Sequence, residues 1–162
     1  MVGVVGSFNG TYQVTDLSYN PMKPSDPANT TVLSKGNKVA YRETTAETFY
    51  SKVTLEGEES TVEYDYTALA VSTSISMNNL KVVKTYTTAS NGEMTLTCEV
   101  DGKTISVRTA LLKDADGNVI TESYFTGATI DVEGIVDYFD LNNTGNGTYQ
   151  IKVYTLGDIV KH

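Results

Sequence analysis

One phrase occurs twice in this chain of 162 residues. Residues 3–14 read GVVGSFNGTYQV, and residues 134–151 read GIVDYF-DLNNTG-NGTYQI, which is the same pattern with a longer loop. Each copy predicts a β-hairpin, because two β-rich runs flank an Asn-Gly turn. Two such hairpins near the two ends of the chain predict that residues 1–19 are the end of one module and that a second module follows.

The composition favours strands. The chain is rich in Thr, Val and Tyr, it contains 13 Gly, and 162 residues suffice for one domain with an appendage. Its formal net charge is −8, and such a field disfavours a protein that coats nucleic acid unless a local basic stripe overrides it. The expected class is therefore all-β.

Proline marks the expected boundary between modules. All three prolines fall within residues 20–36, which predicts an extended linker there. Residues 37–68 are expected to form a helix and strand packing element. Its short helix is predicted over residues 44–53, with Thr44 and Glu47 in capping-box spacing and an apolar stripe that covers a core. The stripe consists of Ala46, Phe49, Tyr50 and Val53.

Residues 69–162 carry the pattern of a barrel. Polar and apolar residues alternate with a period of two from residue 61 onward, and Asp101-Gly102 forms a typical hairpin turn between two of the runs. The only cysteine, Cys98, shares its parity with apolar neighbours, so it is expected to be buried and unreactive. The predicted strands are 80–87, 94–100, 103–109, 110–113, 119–125, 129–136 and 148–154.

Three segments of this region resemble a known family. They are residues 94–108 (MTLTCEVDGKTISVR), residues 125–136 (FTGATIDVEGIV) and residues 149–159, which contain YQIKV and an Asp-Ile pair. They resemble OB-fold modules of exported multidomain bacterial proteins, some of which also carry nuclease or phosphatase domains. The likeness covers about residues 70–160 and implies tandem copies and an extracellular or cell-surface location. We therefore expect an all-β fold, with an OB-like five-stranded barrel, an extra N-terminal β-hairpin and one short helix.

The resemblance implies a binding face on the outside of barrel strands two and three. Alternation predicts that Met94, Leu96, Cys98, Val100, Ile105 and Val107 face inward. The outward positions offer mainly hydroxyl groups, and they lack the row of aromatic side chains that single-strand binders use. The candidate ligands are an oligosaccharide, a protein or single-stranded nucleic acid. The candidate contacts are Tyr86, Thr97, Lys103, Thr104, Ser106 and Arg108.

The sequence predicts no catalytic residues and no cofactor. The only histidine is His162, which excludes histidine-based triads and histidine-ligated zinc. The carboxylate pairs Glu58-Glu59 and Asp131/Glu133 read as solvated charges in a loop and on the outer face of a strand.

One loop resembles a shortened calcium loop. Asp114, Asp116 and Asn118 are its weak metal candidates, but Gly117 and Glu122 fall at the wrong positions for the full motif. A hairpin turn that needs a positive φ at Gly117 explains the same residues better.

Three functions remain as hypotheses. The first is a non-catalytic OB-like module of an exported or cell-surface bacterial protein, acting as a spacer, adhesion or accessory binding domain. The alternative is an oligonucleotide-binding accessory domain of an extracellular hydrolase, with Tyr86, Lys103 and Arg108 as contacts. The third is a small hydrolase that uses Asp131 and Glu133. No membrane insertion is expected, and a homodimer could form if residues 1–19 pair with a partner.

Overall fold

Strands dominate the part of the chain that the computed structural model describes, which comprises residues 3–8, 11–15, 31–57, 60–142 and 144–162. Its helices are short: α1 (Ala46–Phe49), α2 (Tyr66–Ala70), α3 (Glu122–Phe125) and a 3-10 turn at Leu156–Asp158. No helix in these ranges is long and apolar enough to cross a membrane. The strands are β1 (Val4–Phe8), β2 (Thr11–Thr15), β3 (Arg42–Glu43), β4 (Lys52–Glu56), β5 (Thr61–Asp65), β6 (Ser74–Thr87), β7 (Met94–Val100), β8 (Lys103–Thr109), β9 (Thr129–Phe139), β10 (Thr148–Val153) and β11 (Ile159–Lys161).

The chain divides into two units. The smaller unit comprises residues 1–39 and 139–148, and the larger unit comprises residues 40–138 and 149–162. In the smaller unit β1 and β2 form the antiparallel hairpin that the first copy of the repeat predicts, with Val5 opposite Val14. The Asn9-Gly10 turn and the three prolines lie outside the described residues.

The larger unit contains a closed five-stranded barrel together with additional strands and short helices. β6, β7 and β8 make an antiparallel meander, β10 pairs with β8 in parallel, β9 lies beside β10, and β9 pairs with β6 to close the ring. This strand order, with a parallel pair beside the closing hairpin, is that of an OB fold. The predicted all-β, OB-like fold class is therefore confirmed.

The long strand β6 makes closure possible because it pairs on both sides. Its first half pairs with β9 and its second half with β7, and the register shifts between Met77 and Leu80 and again between Val82 and Lys84. Asn79, at the first irregularity, has a φ of 60°. Such irregularities bend a strand and increase its twist, so one strand can serve both edges of a small barrel.

The inward faces of the barrel strands form the core. The predicted inward residues of β7 and β8 are buried, except that Val100 at the end of β7 is half-buried and packs against the core. Phe49 of α1 and Phe125 of α3 belong to the same core cluster and are fully buried. The predicted alternation in β7 and β8 is therefore confirmed, and the two short helices contribute aromatic side chains to the barrel core.

The helix predicted over residues 44–53 is shorter than expected. The N-cap is Thr45 rather than Thr44, and its hydroxyl accepts a hydrogen bond from the Thr48 amide at 3.1 Å. The helix ends at Phe49, Tyr50 is exposed, and Val53 belongs to β4. Pairing of β4 with β5 accounts for the early end, because it requires extended backbone from residue 52 onward.

The prediction of strands over 110–113 and 119–125 is wrong. A single bridge joins Lys113 to Val119, and residues 122–125 form α3. Positions i and i+3 of a helix share one face, so α3 can present Glu122 to β6 while Phe125 enters the core. Tyr66, which directly follows β5, begins α2.

Candidate functional site

The outer face of β6, β7 and β8 gathers most of the predicted binding residues into cross-strand rows. Tyr86 lies opposite Thr95, which lies opposite Arg108. The next row consists of Lys84, Thr97 and Ser106. We call these six residues the outer face. Thr104 continues it along β8, opposite Glu99 of β7.

Arg108 is held by its neighbours on this face. Its guanidinium donates to the Thr95 and Thr88 hydroxyls, both at 2.9 Å, and to the Glu93 carboxylate at 2.8 Å. The Arg108 and Glu93 side chains are 18% and 28% exposed. The ion pair with Glu93 and the two further hydrogen bonds use three of the five N–H donors and hold the guanidinium against β7 and the loop. Arg108 therefore neutralises the charge of Glu93 and anchors the loop between β6 and β7, which comprises residues 88–93.

That loop is also closed by its own backbone. The Thr88 amide donates to the Glu93 carbonyl at 2.8 Å, and the Gly92 amide donates to the Thr88 carbonyl at 2.9 Å. The Asn91 side chain accepts from the Glu93 amide at 3.1 Å. Sequence reasoning missed Glu93, because its role depends on a tertiary contact with a strand 15 residues away.

Lys103 and Thr104 meet a residue from outside the barrel strands. Tyr50 directly follows α1, and its hydroxyl donates to the Thr104 carbonyl. The Lys103 ammonium lies 5.7 Å from the centre of the Tyr50 ring. Burial raises the pKa of Tyr50. The structure therefore separates Lys103 from the other predicted contacts, because its strand position has inward parity and its side chain lies over Tyr50.

The exposed features that remain on the outer face are few. Tyr86 is 58% exposed, and Lys84 beside it is exposed and forms no ion pair within the described residues. One aromatic ring and one ammonium group among hydroxyls form a mostly neutral surface. An oligonucleotide-binding groove normally combines several stacking rings with a positive track.

The loop with the metal candidates is a self-contained turn. The Asp114 carboxylate accepts from the Asp116 amide at 3.0 Å, from the Asn118 amide at 2.8 Å and from the Asn118 side chain at 3.0 Å. These hydrogen bonds, that of the Asn118 side chain first, lower the pKa of Asp114. The described residues contain no group of three or more His, Cys, Asp or Glu side chains arranged to hold a metal ion. The contacts are those of an Asx turn.

Asp131 and Glu133 lie two residues apart on β9, beside a shallow cavity of about 300 Å³ that Asp158 also lines. Asp131 accepts from the Asn79 amide at 2.8 Å and contacts His162 at 2.9 Å, and the Asn79 hydrogen bond helps to lower its pKa. Glu133 is exposed. Both carboxylates project from the same side of one strand and do not face each other across a cleft. Glu58 and Glu59 lie outside the described residues.

A groove of about 500 Å³ lies beside α2, and sequence reasoning did not find it. The Arg42 guanidinium lies 6.0 Å from the centre of the Tyr66 ring, and Leu69 of α2 is 45% exposed at the groove. No local pattern signals this arrangement, because its residues come from four separate segments. The lining residues are Arg42, Val53, Tyr66, Leu69, Ala70, Thr73 and Ser74.

Comparison with protein-family models, with curated protein sequences and with solved structures gave no match for this chain.

Proposed function

We propose that this chain is a non-catalytic OB-like module of an exported or cell-surface bacterial protein, and that it acts as a spacer, adhesion or accessory binding domain. One observation carries the proposal: the only guanidinium of the outer face is bound to Glu93, Thr88 and Thr95. This arrangement supports a role for Arg108 in anchoring the loop rather than in binding a polyanion. The location rests on the resemblance of residues 70–160 to modules of exported proteins.

Two further features support a role without catalysis. The carboxylates of β9 lie side by side, so they lack the opposed geometry and contrasting environments that separate the roles of acid and base. The Asp114 turn satisfies its own carboxylate. Both features are consistent with a domain that binds or spaces other parts of a protein and does not catalyse a reaction.

Oligonucleotide binding is the second candidate, and Tyr86 with Lys84 favours it. These exposed side chains lie in adjacent rows of the face on which OB folds bind single strands. One stacked base and one phosphate contact would give weak binding with only a shallow dependence on salt, because the salt dependence grows with the number of neutralised phosphates.

A fluorescence-anisotropy titration with a labelled oligo-dT distinguishes the two candidates. We expect no saturable binding up to about 100 µM protein at about 20 mM salt, where even non-specific DNA binders associate. Saturable binding in this range that weakens with salt and is lost in the variant Lys84→Ala/Tyr86→Ala would contradict the proposal. The matched control is Lys35→Ala, which removes an exposed lysine outside the barrel strands.

A further inference from the structure

The β1–β2 hairpin repeats the hairpin that closes the barrel, both in sequence and in pairing. In β1–β2, Ser7 lies opposite Tyr12 and Gly6 lies opposite Gln13. The corresponding positions of β9 and β10 also contact each other. The Tyr138 and Tyr149 ring centres are 4.9 Å apart, and the Gln150 side chain donates to Asp137 at 2.8 Å.

The two hairpins differ in what covers their apolar faces. Val5 and Val14 lie opposite each other and are 68% and 50% exposed. Their counterparts in the second copy, Val136 and Ile151, are 1% and 0% exposed, because they face the barrel core. In the second copy this face is therefore covered by the barrel core, to which the meander formed by β6, β7 and β8 contributes.

We propose that β1 and β2 are the closing hairpin of a second OB-like barrel, whose first three strands come from a separate stretch of polypeptide built like β6–β8. An isolated two-stranded hairpin is marginally stable in water, so a hairpin of this kind needs such a sheet. The inference concerns a surface other than the outer face, and it does not depend on what that face binds.

The five barrel strands of this chain already pair with one another. β9 already pairs with β6, and β10 already pairs with β8, so the ring of strands is complete. In a second copy the same strands are taken. A meander without its own closing hairpin is therefore the partner that fits.

The test extends the full chain with the missing partner. A copy of residues 40–133 is placed directly before Gly3, so that Gly3 follows Glu133 as Gly134 does in the natural sequence. We expect calorimetry to record a second cooperative unfolding transition, and hydrogen exchange to record new protection at the Val5 and Val14 amides. Val5→Asp should abolish the second transition and leave the first unchanged.

Gly6→Asp is the matched control. It adds the same charge one residue away, at the position where the second copy carries Asp137, and a Cβ there would meet nothing within 4 Å. The second transition should survive this change. In the chain without the extension, both variants should melt like the wild type, which shows that they fold.

Two outcomes would overturn the proposal. One is an extended chain that shows a single transition, or whose second transition is indifferent to Val5→Asp. The other is a wild-type chain that sediments as a dimer and dissociates on Val5→Asp, because the partner would then be a second copy.

Discussion

Gly134 lies at a close approach between β9 and β10. A Cβ atom at this position would lie 2.6 Å from the Lys152 carbonyl oxygen and 2.7 Å from the Ile151 Cγ2 atom. The carbonyl belongs to the backbone of a paired strand, which cannot move without disturbing the barrel. Glycine in a strand costs conformational entropy, and here the close packing of the closing hairpin requires it.

We expect Gly134→Ala to destabilise the protein by about 1–3 kcal/mol, because a side chain must be forced into a packed site. Urea unfolding followed by circular dichroism measures the change. Gly6→Ala is the control, because nothing lies within 4 Å of a Cβ there. Equal effects of the two substitutions would show that close packing does not explain Gly134.

Arg108 illustrates how a residue correctly placed on a surface can have a role other than the predicted one. Alternation along β8 puts it on the outer face, as expected. Its partners, Glu93 and Thr88, come from a loop whose path the sequence pattern leaves open. The pattern therefore predicts which way the side chain points, whereas its partner is decided by the tertiary fold.

The single turn of α3 contacts both β6 and the core: Glu122 binds β6, and Phe125 is buried in the core. The Glu122 carboxylate accepts from the Thr87 hydroxyl at 2.6 Å and from the Thr85 hydroxyl at 3.0 Å. These hydrogen bonds, that of Thr87 first, lower the pKa of Glu122. A group whose pKa is lowered on folding stabilises the fold above its unfolded pKa, and this contribution is lost as the pH falls through the folded value.

We expect Glu122→Gln to lower the midpoint of thermal unfolding at pH 7. The difference from the wild type should shrink as the pH falls below about 4.3, the value for an unfolded glutamate. Thr87→Val, which removes one donor and keeps the carboxylate, should reproduce part of the effect. A difference that stays constant between pH 7 and pH 3 would count against this role.

The strands were predictable where the signal was local. Alternation and the Asp101-Gly102 turn place β7 and β8 at their observed bounds, since each determinant lies within a few residues. Residues 119–125 were predicted as a strand, because nothing local records that Glu122 binds β6 and that Phe125 fills the core. The same reason limits the prediction of α1, whose end is set by the pairing of β4 with β5.

Because the barrel is closed around Cys98, the reactivity of this thiol reports on the opening of the whole barrel. The side chain is fully buried on the inward face of β7, and burial raises the pKa of its thiol to about 12. A thiol reagent reacts with the thiolate, which must be accessible to the reagent. Because the folded barrel buries Cys98 and disfavours its thiolate, the reaction requires the barrel to open.

We expect the wild-type thiol to react with a thiol reagent only on the timescale of barrel opening, and at full rate in denaturant. Glu99→Cys is the matched control, because it adds a thiol to the next residue, whose side chain lies on the exposed face. That second thiol should react at once in the folded protein. Rapid labelling of Cys98 without denaturant would contradict a closed core.

The sequence by itself determined the class of the fold, the alternation of the barrel strands and the presence of two related hairpins, because these follow from local periodicity and turn chemistry. Only the tertiary structure decided that Arg108 anchors a loop, that residues 122–125 are helical and that one copy of the hairpin is covered while the other is exposed. Each of these depends on which distant segment lies opposite, and neighbouring residues in the chain do not encode that information.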